Sequence, residues 1–229
     1  MRRTSKRYKN VKSLIESKLY LPENGIELLQ QTANAKFVES SEAHFSLNLN
    51  PKYADQQLRS TVVLPHGTGK KIRIAAIVSN DSGLINNPNT GAEKIGSDEF
   101  IEEINQGYTD FDVLIAELDM MPKIAKLGRV LGPKGLMPSP KAGTVTKDII
   151  GTIQEFKRGK LEYRVDKTGI VHLNFGKVNF TNQQLLENLS TVYKSILQNK
   201  PTGVKGKYFK HLHICSTMGP SIEIDFSAF

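Results

Sequence analysis

His66-Gly67-Thr68-Gly69-Lys70-Lys71-Ile72-Arg73-Ile74-Ala75-Ala76-Ile77-Val78 is the stretch that decides the fold. Two glycines and two lysines interrupt the chain, and a nearly continuous apolar run, Ile72 to Val78, follows at once. A strand with one wet face alternates apolar and polar residues. A strand that is apolar almost throughout is covered on both faces, as in a parallel sheet flanked by helices. The sequence downstream keeps to that scheme. It predicts a helix near Asp98–Gln106, a strand near Asp112–Glu117, and helices near Pro122–Leu131 and Thr146–Phe156. A second break, Lys157-Arg158-Gly159-Lys160, closes the segment.

Outside the two breaks the periodicity changes. Ser5 to Tyr20 reads as a helix, with Ser5 as N-cap and Val11, Leu14, Ile15 and Leu19 at helical spacing. A shorter helix is expected over Asn24–Asn34. His44–Asn50 and Ser60–Leu64 alternate as half-buried strands do. Beyond the second break come strands at Leu161–Val165 and Ile170–Phe175, joined by the turn Asp166-Lys167-Thr168-Gly169. A long helix at Asn182–Gln198 follows, then strand-like Tyr208–Cys215 and Ser221–Phe226. Two breaks bracketing an α/β segment predict one domain, 68–159, inserted into another built from 1–67 and 160–229. Gly67, Gly69 and Gly159 are the expected hinges. A single α/β domain with ordinary loops gives the same pattern.

The chain has 229 residues, of which 38% are hydrophobic and 24% charged, so it can build a packed core. No apolar run reaches the ~18–20 residues that span a bilayer. The basic N-terminus is not followed by an apolar stretch, which argues against a secretory signal. Cys215 is the single cysteine. It permits neither an intrachain disulfide nor a cysteine-based zinc site, and a reducing compartment is expected. The net charge is +8 and the pI about 9.4. Residues 1–20 hold seven Lys/Arg against one acid, residues 81–121 ten acids against one base, and residues 122–167 eleven bases against four acids. Such segregation suits a molecule whose basic side meets a polyanion.

No catalytic motif stands out, and an enzyme is not expected. Gly67-Thr68-Gly69-Lys70 lacks the spacing of a phosphate loop. Asp98-Glu99 and Glu102-Glu103 sit on an amphipathic helix as its solvated face. His211, His213 and Cys215 alternate along one strand, but ~13 Å separates the first from the last at ~3.4 Å per residue. These three cannot share one ion; a metal there would need ligands from elsewhere, and packing or RNA contact is expected, with no metal site assigned. Lys126 to Val145, rich in Gly and Pro, is expected to form a tight, extended loop from which Lys126, Arg129, Lys134 and Lys141 reach phosphates. Ser216-Thr217-Met218-Gly219-Pro220 joins two strands. Its glycine admits a close backbone, Thr217 offers a hydroxyl, and Met218 offers a soft apolar surface to a sugar or base.

LGRVLGPKGLMPSPKAGTV (127–145) and STMGPS (216–221) resemble the family of large-subunit ribosomal protein one. So do Asn34 to Ser40, Arg59 to Gly67 and Asp166 to Gly169, in order along nearly the whole chain. The resemblance implies a discontinuous two-layer α/β outer domain carrying an inserted three-layer, Rossmann-like α/β domain. It implies binding to the stalk helices of large-subunit ribosomal RNA, help with release of deacylated tRNA from the exit site and, in bacterial members, repression of the protein's own messenger RNA. The RNA site it implies comprises Lys36, Phe37, Ser40, Glu42, Asp166, Thr168, Thr217, Met218 and Gly219, to which we add Lys167, Gly169 and His211. No cofactor and no membrane are expected, and the protein should be a monomer within the ribosome. Ser40 stands where threonine is usual, which keeps the hydroxyl. Asn80 to Lys94 is rich in Asn, Gly and Pro where relatives often carry an alanine-rich helix. Frequent Asn, Ile and Lys without Trp favour plastid stroma over bacterial cytoplasm. A free regulatory RNA binder and an α/β enzyme with a nucleotide substrate are the rival readings.

Overall fold

The computed structural model describes residues 5–79, 90–204 and 206–229. In chain order the elements are α1 (Lys6–Lys12), α2 (Pro22–Thr32), β1 (Ser40–Leu47), β2 (Arg59–Val63), β3 (Ile74–Ile77), β4 (Lys94–Gly96), α3 (Asp98–Asn105), β5 (Val113–Ala116), α4 (Met121–Ile124), α5 (Gly128–Lys134) and α6 (Ile149–Arg158). β6 (Lys160–Arg164), β7 (Ile170–Lys177), α7 (Asn182–Gln198), β8 (Phe209–Ser216) and β9 (Ile222–Ile224) complete the chain. They form two compact units. One joins residues 1–69 to 161–229, and the other spans Lys70–Lys160. The fold is α/β throughout.

In the Lys70–Lys160 unit the apolar run becomes β3, the central strand of a parallel sheet ordered β4-β3-β5. Successive side chains of a strand point to opposite faces. Ala75 and Ile77 therefore pack with Phe100, Ile104, Met120, Ile124 and Leu131 on one side. Ile74, Ala76 and Val78 pack with Ile149, Ile153 and Phe156 on the other. Helices on both faces make three layers. The Lys126–Val145 stretch departs from the expected extended loop. Gly128–Lys134 is helical, and the left-handed Gly135 (φ 71°) stops the helix. Pro140–Ala142 is a 3-10 turn closed by Gly143 (φ 62°). Leu131 supplies the reason, because it is buried against the sheet only if the backbone coils there. The asparagine-rich segment singled out at 80–94 lies outside the described residues as far as 89; its end, Lys94, begins β4.

The other unit carries an antiparallel four-stranded sheet ordered β7-β1-β8-β9. Its inward residues, among them Phe45, Val171, Leu212 and Ile214, pack with Ile26 and Leu29 of α2 and Leu185, Leu189 and Val192 of α7. The opposite face alternates outward as Ser40, Glu42, His44 and Ser46 on β1. α1 is much shorter than the expected Ser5–Tyr20 helix, although Ser5 does cap it, its hydroxyl accepting from the Tyr8 N–H. Tyr20 is drawn away to the sheet: its N–H donates to the Glu223 carbonyl, and its carbonyl accepts from the Asp225 N–H. No helix is long and apolar enough to cross a membrane among the described residues.

Candidate nucleic-acid interface

The start of β1 and the end of β8 lie side by side, with Ser41 opposite Ser216. There the loop before β1 meets the turn after β8, and Glu39 ties them together. Its side chain is 2% exposed. One carboxylate oxygen accepts from the Ala35 N–H at 2.9 Å; the other accepts from the Ser216 hydroxyl at 2.8 Å and the Met218 N–H at 2.9 Å. Burial pushes the Glu39 carboxyl up. The bonds from Met218, Ala35 and Ser216 and the Arg7 charge outweigh it, so the group ionises below its ordinary range. The Thr217 hydroxyl accepts from the Ser40 N–H at 3.0 Å, and the Thr217 N–H donates to the Ser40 carbonyl at 3.1 Å. Lys177 donates to the Ser40 hydroxyl at 3.0 Å. Arg7 donates to the Met218 carbonyl at 3.1 Å and to Asn34 at 2.8 Å. At Gly219 a Cβ would sit 2.4 Å from the Ser216 hydroxyl, so only glycine leaves that hydroxyl on Glu39.

This lattice of bonds presents apolar groups to solvent. Phe37 is 55% exposed and Met218 49%, with Val38 exposed beside them. Lys36 is exposed as well. Sequence reasoning placed Lys36, Phe37, Ser40, Thr217, Met218 and Gly219 in one site, and the structure gathers them at one end of the sheet. It had no place for Glu39 or Arg7. The sequence signal that pointed to them was slight, a lone acid in a basic and aromatic segment and one arginine in a basic helix.

Asp166, Lys167, Thr168 and Gly169 lie at the opposite end. β1 and β7 run antiparallel, so Ser40 faces Lys177 while Ser46 faces Ile170 next to the turn. Six residues at ~3.4 Å put ~20 Å between the two groups. The Asp166 carboxylate accepts from the Thr168 N–H, the Thr168 hydroxyl and the Ile170 N–H, all within 2.8 Å. Burial pushes its pKa up, but the bonds from Ile170 and Thr168, with a further contribution from His172, bring it down to about 2. Gly169 has φ 87°, and a Cβ there would lie 3.1 Å from the Leu49 carbonyl oxygen. Lys167 and Thr168 point into solvent. His211 sits opposite Ser46 at this end, its Nδ1 2.8 Å from Glu223.

Between the ends, the outward face of the sheet holds Glu42, His44, His172, His213 and Cys215. Burial, with His172 and His213 close by, keeps His44 below its ordinary pKa. Burial and Glu42 push the Cys215 thiol up to about 11. The candidate interface is thus a strip along one sheet face, with turns built on hydrogen-bonded carboxylates at its two ends.

The four basic residues Lys126, Arg129, Lys134 and Lys141 belong to the Lys70–Lys160 unit and are all exposed. Lys134 donates to the Thr109 hydroxyl. Lys126, Arg129 and Lys141 form no ion pair among the described residues. Of the expected hinges, Gly67 (φ 65°) has its carbonyl held by the buried Asn188 amide at 3.0 Å. Gly69 (φ 69°) lies against Lys177 and Phe180, and Gly159 (φ 114°) ends α6.

Residues 29–220 match the model of the ribosomal protein L1p/L10e family. The chain is 58% identical over 230 residues to the large ribosomal subunit protein uL1c of Trieres chinensis, covering all of both chains. It is 58% identical over 229 residues to the protein of that name from Guillardia theta, and 54% over 228 to uL1 of Prochlorococcus marinus strain MIT 9215, in both cases covering 100% of this chain and 97% of the relative.

Proposed function

The chain belongs to the ribosomal protein L1p/L10e family, a non-enzymatic constituent of the large ribosomal subunit, and on that premise we propose that it grips the stalk helices of the ribosomal RNA with the strip along its four-stranded sheet. The observation that carries the reading is the turn at Thr217–Gly219, held against the Phe37 loop by buried Glu39 while Met218 and Phe37 stay exposed. Apolar side chains kept in water by a rigid frame suit stacking and sugar contact in RNA. Lys36 and Lys167 flank the strip at its two ends and offer charge to phosphates. The Asp166 turn exposes Thr168, whose N–H and hydroxyl proton are held by Asp166, so that its hydroxyl oxygen is left to accept a second contact along the same strip.

We further propose that Lys126, Arg129, Lys134 and Lys141 face the exit-site tRNA and help its release, and that the strip accepts a stalk-like fold in the protein's own messenger RNA. Exposed cations on a short helix, Arg129 and Lys134, and on the turns before and after it, Lys126 and Lys141, support the former. For the latter, the support is that one strip can bind any RNA of the same shape. We place the protein on the ribosome, in a plastid stroma or a bacterial cytoplasm, because its relatives are of plastid and cyanobacterial type. The decisive experiment is binding of stalk RNA and of an unrelated hairpin at physiological salt. Preference for stalk RNA that Met218→Ala abolishes supports the reading; equal affinity for both RNAs overturns it.

A further inference from the structure

Four of the five histidines, His44, His172, His211 and His213, share the outward face of the four-stranded sheet with the only cysteine. A single cysteine rules out a site built of cysteines, and the strand arithmetic that separates His211 from Cys215 rules out one held along β8 alone. Across strands the distances are shorter, because residues directly opposite in an antiparallel pair have Cβ atoms only ~4.5–5.5 Å apart. Cys215 of β8 lies opposite Glu42 of β1, and His44 stands two residues further along β1 on the same face. From this arrangement we propose that Glu42, His44 and Cys215 form a site for a borderline-soft divalent transition metal, Zn2+ being the fitting ion.

The geometry supports it in three ways. Ligand atoms of all three side chains lie within 4.8 Å of one another, and His44 Nε2 is 3.3 Å from Cys215 Sγ. A tetrahedral ion with bonds of ~2.0–2.3 Å needs its ligand atoms roughly 3.3–3.8 Å apart, so small side-chain rotations close the site. The ligand types also match. Thiolate, imidazole and carboxylate together select zinc over magnesium or calcium, and three protein ligands leave one position for water. Finally, the His44 ring is already oriented. Its Nδ1 is 2.8 Å from His172 Nδ1, so a proton placed on His44 Nδ1 is accepted by His172 and Nε2 is left free to face the ion. A second group on the same face, His211, His213 and Glu223, has ligand atoms equally close. It lacks a thiolate, and His211 is exposed.

The test uses the full chain, reduced and stripped of metal. One equivalent of Co2+ should give the strong visible bands of a four-coordinate ion and a near-ultraviolet thiolate-to-cobalt band, both removed by Zn2+. Zn2+ should also slow alkylation of Cys215 in the unaltered chain. Cys215→Ser should lose the thiolate band while keeping the wild-type circular dichroism. His44→Gln should weaken Zn2+ binding about tenfold or more, the loss seen even for groups that merely orient a ligand. No thiolate band together with no protection of Cys215 overturns the proposal. Four-coordinate bands that lack the thiolate signature and vanish in His211→Gln overturn it too, since the ion would then sit on His211, His213 and Glu223.

Discussion

Glu39 shows how much of the interface rests on a residue that touches no RNA in our reading. An amide in its place keeps the shape but turns an NH2 toward one of the three donors that the carboxylate now satisfies. A buried donor left without an acceptor costs about 1–3 kcal/mol. Glu39→Gln should therefore lower thermal stability and weaken stalk-RNA binding about tenfold, 1.4 kcal/mol being tenfold. Its salt dependence should not change, because no cation is removed; wild-type binding by this variant would mean the turn needs no frame. Acid should show the same carboxylate from another side. The folded pKa of Glu39 lies below its ordinary value of 4.5, so its stabilisation is complete above 4.5 and is lost as pH falls through the folded value. Asp166 follows the same sign between 3.8 and about 2. Urea unfolding across this range should show a shallower loss of stability in Asp166→Asn than in the unaltered chain. Both turns were legible in the sequence as turns, through Asp-Lys-Thr-Gly and Thr-Met-Gly-Pro. Glu39 was not, since an isolated glutamate is ordinarily solvated and nothing in its neighbours announces burial.

At the scale of elements, what was legible depends on whether local and tertiary demands agree. α7 is read correctly end to end from the sequence because Thr181 and Gln184 form a capping box and Leu185, Leu189, Val192 and Ile196 make one buried stripe. Thr181→Ala should cost about 1 kcal/mol in urea unfolding, the usual worth of an N-cap, and Thr181→Ser almost nothing. Equal loss in both would show that the threonine methyl, not the hydroxyl bond, holds the helix start. α1 fails for the opposite reason. Its periodic residues continue to Leu19, but the Tyr20 backbone gains two hydrogen bonds beside β9 that a helix would forgo. The Gly/Pro-rich segment carries two readings: the helical coil expected to reach Leu131 forms and runs on to Lys134, whereas the extended loop that composition suggests for Lys126–Val145 does not form there. Gly135 ends that coil at φ 71°, with nothing within 4 Å of a Cβ. Gly135→Ala should cost about 1 kcal/mol from conformation alone, and Gly135→Asn less, as asparagine tolerates the left-handed region. The sheet order β7-β1-β8-β9 joins strands far apart in sequence, and so the histidine row it creates could not be read from any one segment.

Over the whole molecule the charge segregation in the sequence resolves into two different uses. Much of the acidic block is neutralised close by: Asp112 meets Lys70 and Arg73, Asp98 meets Lys123, Glu103 meets Lys94 and Asp110 meets Arg73. Lys36, Lys167, Lys126, Arg129 and Lys141 have no ion-pair partner among the described residues and remain available to phosphates. Under the proposed division of labour, the first two serve the ribosomal RNA and the last three the tRNA. Phosphate contacts release counterions, so each lysine engaged lowers the log–log slope of affinity against salt by roughly one when removed. If about six phosphates of stalk RNA are neutralised, the unaltered chain should show a slope of about −5. Lys36→Ala and Lys167→Ala should each bring it nearer to −4, whereas Lys126→Ala and Lys141→Ala should leave it in place. Met218→Ala should weaken binding at every salt concentration in parallel, because an apolar contact releases no ions. With tRNA as ligand the assignments should exchange, the slope responding to Lys126 and Lys141 and not to Lys36. Affinity against salt for the unaltered chain and these five variants, with two RNAs, measures all of this at once. A stalk-RNA slope that falls in Lys126→Ala would show that both units bind the ribosomal RNA, and the division proposed between them would have to be given up.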